Sequence, residues 1–151
     1  AYHVVNSLLE PAEVDDVLRL YRDRLADSKT SLAGKVALID SLARTAKPLE
    51  VSRIRQLLRD EAPEVRSAAL SYVRNRVLDR GQFEFLPAVR VSLADVRLPI
   101  RVQALYLIAE LPAATAARLP ELRAAARERC RTDSMLAKES VCVDGVGNAP
   151  K

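Results

Sequence analysis

Apolar residues recur along this chain at steps of three and four, not at steps of two. Val14, Leu18, Tyr21 and Leu25 form one such series, and Val36, Ile39 and Leu42 another. That spacing gathers side chains on one face of an α-helix. The pattern predicts a helix starting at Pro11 and a partner from about Ser31 to Thr45. Two further pairs follow, roughly 49–59 with 63–78 and 84–94 with 99–111, and then a last long helix over about 116–131. Pro11, Pro48, Pro63 and Pro99 stand where a helix begins, the position at which a missing N–H costs nothing. Ser31 is suited to cap the second helix, and Glu13, Asp15 and Asp16 complement the positive end of the first. No stretch alternates convincingly like a β-strand, so the expected class is all-α.

The pattern also repeats. Shifted by 35 positions, Val51 meets Leu86, Ile54 meets Val89, Arg55 meets Arg90 and Leu58 meets Leu93. Asp60 then meets Asp95, Val65 meets Ile100, Arg66 meets Arg101, and Ala69, Leu70 and Val73 meet Ala104, Leu105 and Ile108. A shift of 33 lays Leu18, Tyr21, Arg22, Leu25 and Asp27 under the second unit, and carries Leu86–Arg90 onto Leu119–Arg123. A period of this size holds two helices and two turns, and one such hairpin cannot bury its apolar face alone. The expected architecture is therefore an α-α superhelix, or α-solenoid, of about three and a half stacked helical hairpins. It occupies residues 11–131, with an N-terminal arm at 1–10. Residues 132–151 read as a short helix or loose tail, turn-rich from Asp144 onward.

Composition narrows the chemistry. Tryptophan is absent, aromatic residues make up 4% of the chain, and the single histidine is His3. A Ser/His/Asp or Cys/His catalytic arrangement within the repeats is thereby excluded, as are most histidine-containing metal sites. Asp144-Gly145-Val146-Gly147 lacks the Lys-Ser/Thr pair of a phosphate loop. Adjacent carboxylates such as Asp15/Asp16 and Asp60/Glu61 sit where they serve a helix dipole. Neither a catalytic residue, a cofactor nor a metal is expected. The longest apolar run, Ala104–Ala109, falls far short of the roughly 18 residues of a membrane span.

Net charge is +4, and it is concentrated in residues 51–101, which carry ten basic and six acidic side chains. Arg53, Arg55, Arg59 and Arg90 lie on first helices, with Arg22 and Arg123 in register, so a basic ridge could run along that side. With so few rings for base stacking, RNA and single-stranded DNA are disfavoured partners. Cys130 and Cys142 could form a disulfide in an oxidising compartment and would stay reduced in the cytosol. The start at Ala1 fits a processed exported protein or a domain of a larger one, and the cysteine pair tilts the reading toward export.

At Ala37–Arg44 with Pro48, and then at Val51–Leu58, Asp60, Pro63-Glu64-Val65-Arg66 and Ala68-Ala69-Leu70, the chain resembles the HEAT-repeat family in its short bacterial form. The third unit shifts the proline by one position, giving Pro99-Ile100-Arg101, and the first unit lacks the Pro and Val, with Lys35 near the place of the Arg. The resemblance implies that Asp60, Asp95, Arg66 and Arg101 bond along the stack. It also implies protein binding on a concave face made by the second helices. A minority of the family bind nucleic acid or act as enzymes, among them alkyl-base glycosylases and phycobilin lyase subunits. The glycosylases hold DNA with tryptophans, which this chain lacks.

The expected function is thus a non-enzymatic protein-binding scaffold. Val65, Ala69, Tyr72 and Val73 take the buried stripe of their helix, leaving Ser67, Ser71, Arg74 and Asn75 outward. Gln103, Tyr106 and Glu110 are the equivalents one unit on, and Asp40 and Arg44 one unit back. The candidate contact residues are Asp40, Arg44, Ser71, Arg74, Gln103, Tyr106 and Glu110, centred on Arg74 with Tyr106, residue types enriched in interface hot spots. The alternatives are polyanion binding by the arginine ridge and an accessory, lyase-like enzyme subunit.

Overall fold

The computed structural model describes residues 11–45 and 47–145; the expected arm at 1–10 and the tail from 146 lie outside them, as does the side chain of Val14. All the regular secondary structure of the described residues is helical, with no strand. In order they form α1 (Pro11–Ala26), α2 (Leu32–Leu42), α3 (Val51–Leu57), α4 (Pro63–Arg80), a 3-10 helix (Phe83–Ala94), α5 (Leu98–Ala109), α6 (Ala113–Ala117), α7 (Pro120–Thr132), a 3-10 turn (Leu136–Lys138) and α8 (Ser140–Asp144).

Sequence neighbours pair: α1 with α2, α3 with α4, and the 3-10 helix with α5. The second members then contact one another in a row, α2 to α4 to α5 to α8. The first members do likewise, from α3 to the 3-10 helix to α7. Between the rows lies one apolar cluster. Its members include the repeat-matched pairs Ile54/Val89, Leu58/Leu93, Val65/Ile100, Ala69/Ala104, Leu70/Leu105 and Val73/Ile108, all buried. The alanines at 69 and 104 leave no side chain to hold adjacent second helices apart.

Two elements depart from the expected helices. Residues 84–94 were expected to be α-helical, but the segment is a 12-residue 3-10 helix with Pro87 inside it. Proline supplies no N–H and disfavours α geometry at the preceding Leu86, so the segment tightens to the i to i+3 pattern. Phe85, Leu86, Val89 and Leu93 still reach the core. The expected single helix over 116–131 is instead two, α6 and α7, broken at Leu119 ahead of Pro120. Proline at the first position of α7 cannot continue a helix arriving from α6.

Local signals fix the ends. Ser31 accepts from the Gly34 N–H at 3.1 Å, so Ser31→Ala should cost about 1 kcal/mol and lower Tm by about 3 °C in a thermal melt. Gly81, at φ 65°, ends α4 in the left-handed region, with the Gln82 N–H donating back to the Arg76 carbonyl at 3.0 Å. Each hairpin turn opens on an aspartate whose Oδ1 accepts an N–H two residues on. Asp27 takes Lys29 at 2.9 Å, Asp60 takes Ala62 at 2.9 Å, Asp95 takes Arg97 at 2.9 Å and Asp133 takes Met135 at 3.0 Å. Three of these aspartates stood out in the repeat; the fourth, Asp133, makes the same turn between α7 and the segment that carries α8. A disulfide between Cys130 and Cys142, Cα atoms 5.4 Å apart, joins α7 to α8.

Candidate partner-binding groove

An open groove of about 550 Å³ crosses the amino-terminal halves of α4 and α5 and the middle of α2. Pro63, Ala68, Pro99, Ile100 and Val36 give it apolar walls, Ser67 and Ser71 a polar strip, and Asp40, Glu64 and Arg97 its charges. The repeat explains why these residues meet. Pro63 and Pro99 each occupy the first turn of a second helix, so stacking those helices lays the two prolines and the side chains just after them along one trough.

The polar strip is held by a single side chain. Gln103 of α5 donates to the Ser67 carbonyl and to Ser71 Oγ, each at 3.1 Å, and accepts from Ser67 Oγ at 2.8 Å. Gln103 is thus occupied in joining α4 to α5, which fixes the two serines in place. Asp40, Glu64 and Arg97 are exposed, and among the described residues none of their side chains makes a hydrogen bond or ion pair.

Of the seven residues expected at a partner site, Asp40 and Ser71 line the groove, and Gln103 holds Ser71 in place. Arg74 and Glu110 form an ion pair at 2.9 Å whose side chains are about half exposed, an interaction of small energy in water. Arg44 lines a separate polar recess with Asn75, Asp79 and Arg80. Tyr106 is occupied elsewhere: its hydroxyl donates to Glu139 Oε2 at 3.1 Å and shares a hydrogen bond with Ser140 Oγ at 2.9 Å. Arg74 and Tyr106 therefore each hold a partner within the fold, Glu110 for the one and Glu139 with Ser140 for the other. For Tyr106 the reason is the C-terminal segment, whose α8 packs on α5 beside it. Glu64, Arg97 and the two prolines were not among the expected contact residues. The recurrence of proline in the first turn of α4 and α5 was the signal that pointed to them.

Behind the groove the hairpins are tied by ion pairs. Arg66 grips Asp95 with two hydrogen bonds of 2.7 and 3.0 Å, both side chains nearly buried at 11% and 7% exposure. The same guanidinium donates to the carbonyls of Asp60 and Glu61 at 2.8 and 3.0 Å. One unit on, Arg101 repeats this with the carbonyls of Asp95 and Val96, and its Nε lies 2.9 Å from Asp133 Oδ2, though without the in-line N–H geometry of the first pair. Each arginine therefore closes its own turn and holds the aspartate of the next. Burial works to raise the Asp95 carboxyl, but the Arg66 hydrogen bonds and the Arg97 backbone N–H outweigh it and hold the pKa below the ordinary value. Asp133 is likewise lowered: burial opposes, while the Leu136 and Met135 N–H groups and the charges of Arg101 and Arg129 prevail.

Among the described residues no group of His, Cys, Asp and Glu is arranged to hold a metal ion, and no helix is long and apolar enough to cross a membrane. Comparison with protein-family models, with curated proteins and with solved structures finds no match to this chain.

Proposed function

We propose that this chain is a non-enzymatic scaffold of the HEAT-like kind, an α-solenoid of about three and a half hairpins that binds a segment of another protein along its second helices. The observation that carries the reading is the α2–α4–α5 groove: apolar walls, a serine strip fixed by Gln103, and three exposed charges that make no side-chain hydrogen bond or ion pair among the described residues. An extended or helical peptide could bury apolar side chains against Pro63, Ala68 and Pro99 while meeting Asp40, Glu64 and Arg97 at the edges. The repeat-to-repeat contacts and the Arg66–Asp95 rung support the solenoid reading, because both recur at the period of the sequence.

A photo-crosslinking residue placed at Ser71, with a control at exposed Ser52 on α3, tests the groove in extracts of the source cell. The expected result is a protein captured from position 71 and not from 52, and reduced at least tenfold by Asp40→Arg in a variant shown by circular dichroism to be folded. Equal capture from both positions, or capture indifferent to Asp40→Arg, would remove the groove as the binding site.

A further inference from the structure

The first helices carry a different kind of surface. Between α3 and the 3-10 helix lies a second groove, about 640 Å³, lined by Arg55, Arg59, Pro87, Ala88, Arg90 and Val91. Three of its six lining residues are arginines, and none is acidic. The repeat puts them together: Arg55 and Arg90 hold the same register position in consecutive units, and Arg59 stands in the turn just after α3, its N–H donating to the Gln56 carbonyl at 3.0 Å. All three are exposed, and among the described residues none of the three side chains makes a hydrogen bond or ion pair. The other arginines of the expected ridge differ. Arg22 donates to the Pro48 carbonyl at 3.0 Å, and Arg53 to Gln56 at 3.0 Å. The ridge is thus a local cluster of three exposed cations around an apolar strip, with Glu121 and Glu128 sharing the neighbouring recess on the far side of Arg90.

We infer that this groove is a binding site for an acidic peptide segment, separate from the groove on the second helices and independent of that reading. Guanidinium groups match carboxylates through paired N–H donors, and Pro87, Ala88 and Val91 offer apolar contact to the side chains between them. A nucleic acid is the poorer fit, because the groove offers no aromatic ring on which a base could stack. Opposed charges also speed encounter, and that effect weakens as salt rises.

The test is fluorescence anisotropy with a labelled twelve-residue probe, six glutamates interspersed with alanine and leucine, at several salt concentrations. Wild type, Arg55→Gln/Arg90→Gln and Asp40→Arg are compared, together with a lysine version of the probe and a thymidine oligonucleotide of equal charge. The double variant alters only exposed side chains and should fold. The expected result is at least a tenfold weaker binding by the double variant, unchanged binding by Asp40→Arg, and no binding of the lysine probe. Three results would each overturn the inference: equal affinity of wild type and double variant, binding of the lysine probe as tight as the acidic one, or tighter binding of the oligonucleotide than of the peptide. Because Asp40→Arg probes the other groove, failure here leaves the second-helix reading standing, and the converse also holds.

Discussion

Arg76→Ala is expected to lower the unfolding free energy by about 4 kcal/mol, the range for emptying a large buried position, while Arg76→Met costs only about 1–2 kcal/mol. Arg76 is completely buried in α4. One nitrogen, Nη2, reaches the Leu42 carbonyl at 2.8 Å, the Lys47 carbonyl at 3.1 Å and Thr45 Oγ1 at 3.2 Å. It thereby closes the carboxyl end of α2, where the helix dipole favours a cation. The guanidinium also lies 5.3 Å from the centre of the Tyr72 ring, whose hydroxyl accepts the Leu49 N–H at 2.6 Å. Nε and Nη1, however, have no hydrogen-bond partner among the described residues.

A buried cation so incompletely satisfied contributes little net energy as a charge, and much of its value is the volume it fills. The two carbonyls do not both lose their donor with it, since the single Thr45 hydroxyl proton can go to the Leu42 carbonyl at 2.8 Å or be shared with the Lys47 carbonyl at 3.1 Å. Methionine keeps most of the volume, and alanine does not. Urea denaturation of the two variants decides between these contributions. Equal losses would mean that the hydrogen bonds and the cation outweigh the packing.

The second large effect is expected at the first rung. Asp95→Ala leaves Arg66 nearly buried with only two carbonyls to serve, and removing one partner of such a pair costs about 3–5 kcal/mol. Helix content by far-ultraviolet circular dichroism should stay close to that of wild type, because the loss falls between hairpins. Asp95→Asn keeps the acceptor for the Arg97 N–H and separates the turn from the charge. It should recover part of the loss. Acid gives an independent reading. The folded carboxyl is held below its ordinary 3.8, so the unfolded chain takes up the proton first as pH falls. The stabilisation is complete above that ordinary value and is lost as pH drops through the lower, folded one. In Asp95→Ala the acid limb of a stability–pH profile should be shallower than in wild type. An unchanged limb would place the pH dependence elsewhere.

The helices and their pairing were legible because burial at steps of three and four leaves a mark that survives any arrangement of the hairpins. The recurrence of Arg66 and Asp95 at the period marked which residues to carry over, and the rung between them was expected from the resemblance to HEAT repeats, whose turn aspartate and second-helix arginine bond along the stack. Its continuation was not: Asp133 lies 38 positions after Asp95, and the extra residues hid it behind a segment read as tail. Arg76 left no signal, because a charged residue among Tyr72, Val73 and Val77 looks like a break in the apolar stripe. Only the fold shows that it points to the carboxyl end of α2, the second helix of the preceding hairpin. For the candidate contact residues, the repeat register located positions on the second helices, and Asp40 and Ser71 line the groove there. The hydrogen bonds of Tyr106 to Glu139 and Ser140 left no sequence signal, because those residues lie beyond the recognised repeats.

The 3-10 segment has one more consequence, and it concerns length. Twelve residues in that geometry reach about 24 Å, where an α-helix of the same twelve would reach about 18 Å. Its longer neighbour α4 has 18 residues and runs about 27 Å. Pro87 therefore acts as a spacer, stretching a short segment into a strut that nearly matches α4 and carrying Asp95 back to the end where Arg66 waits.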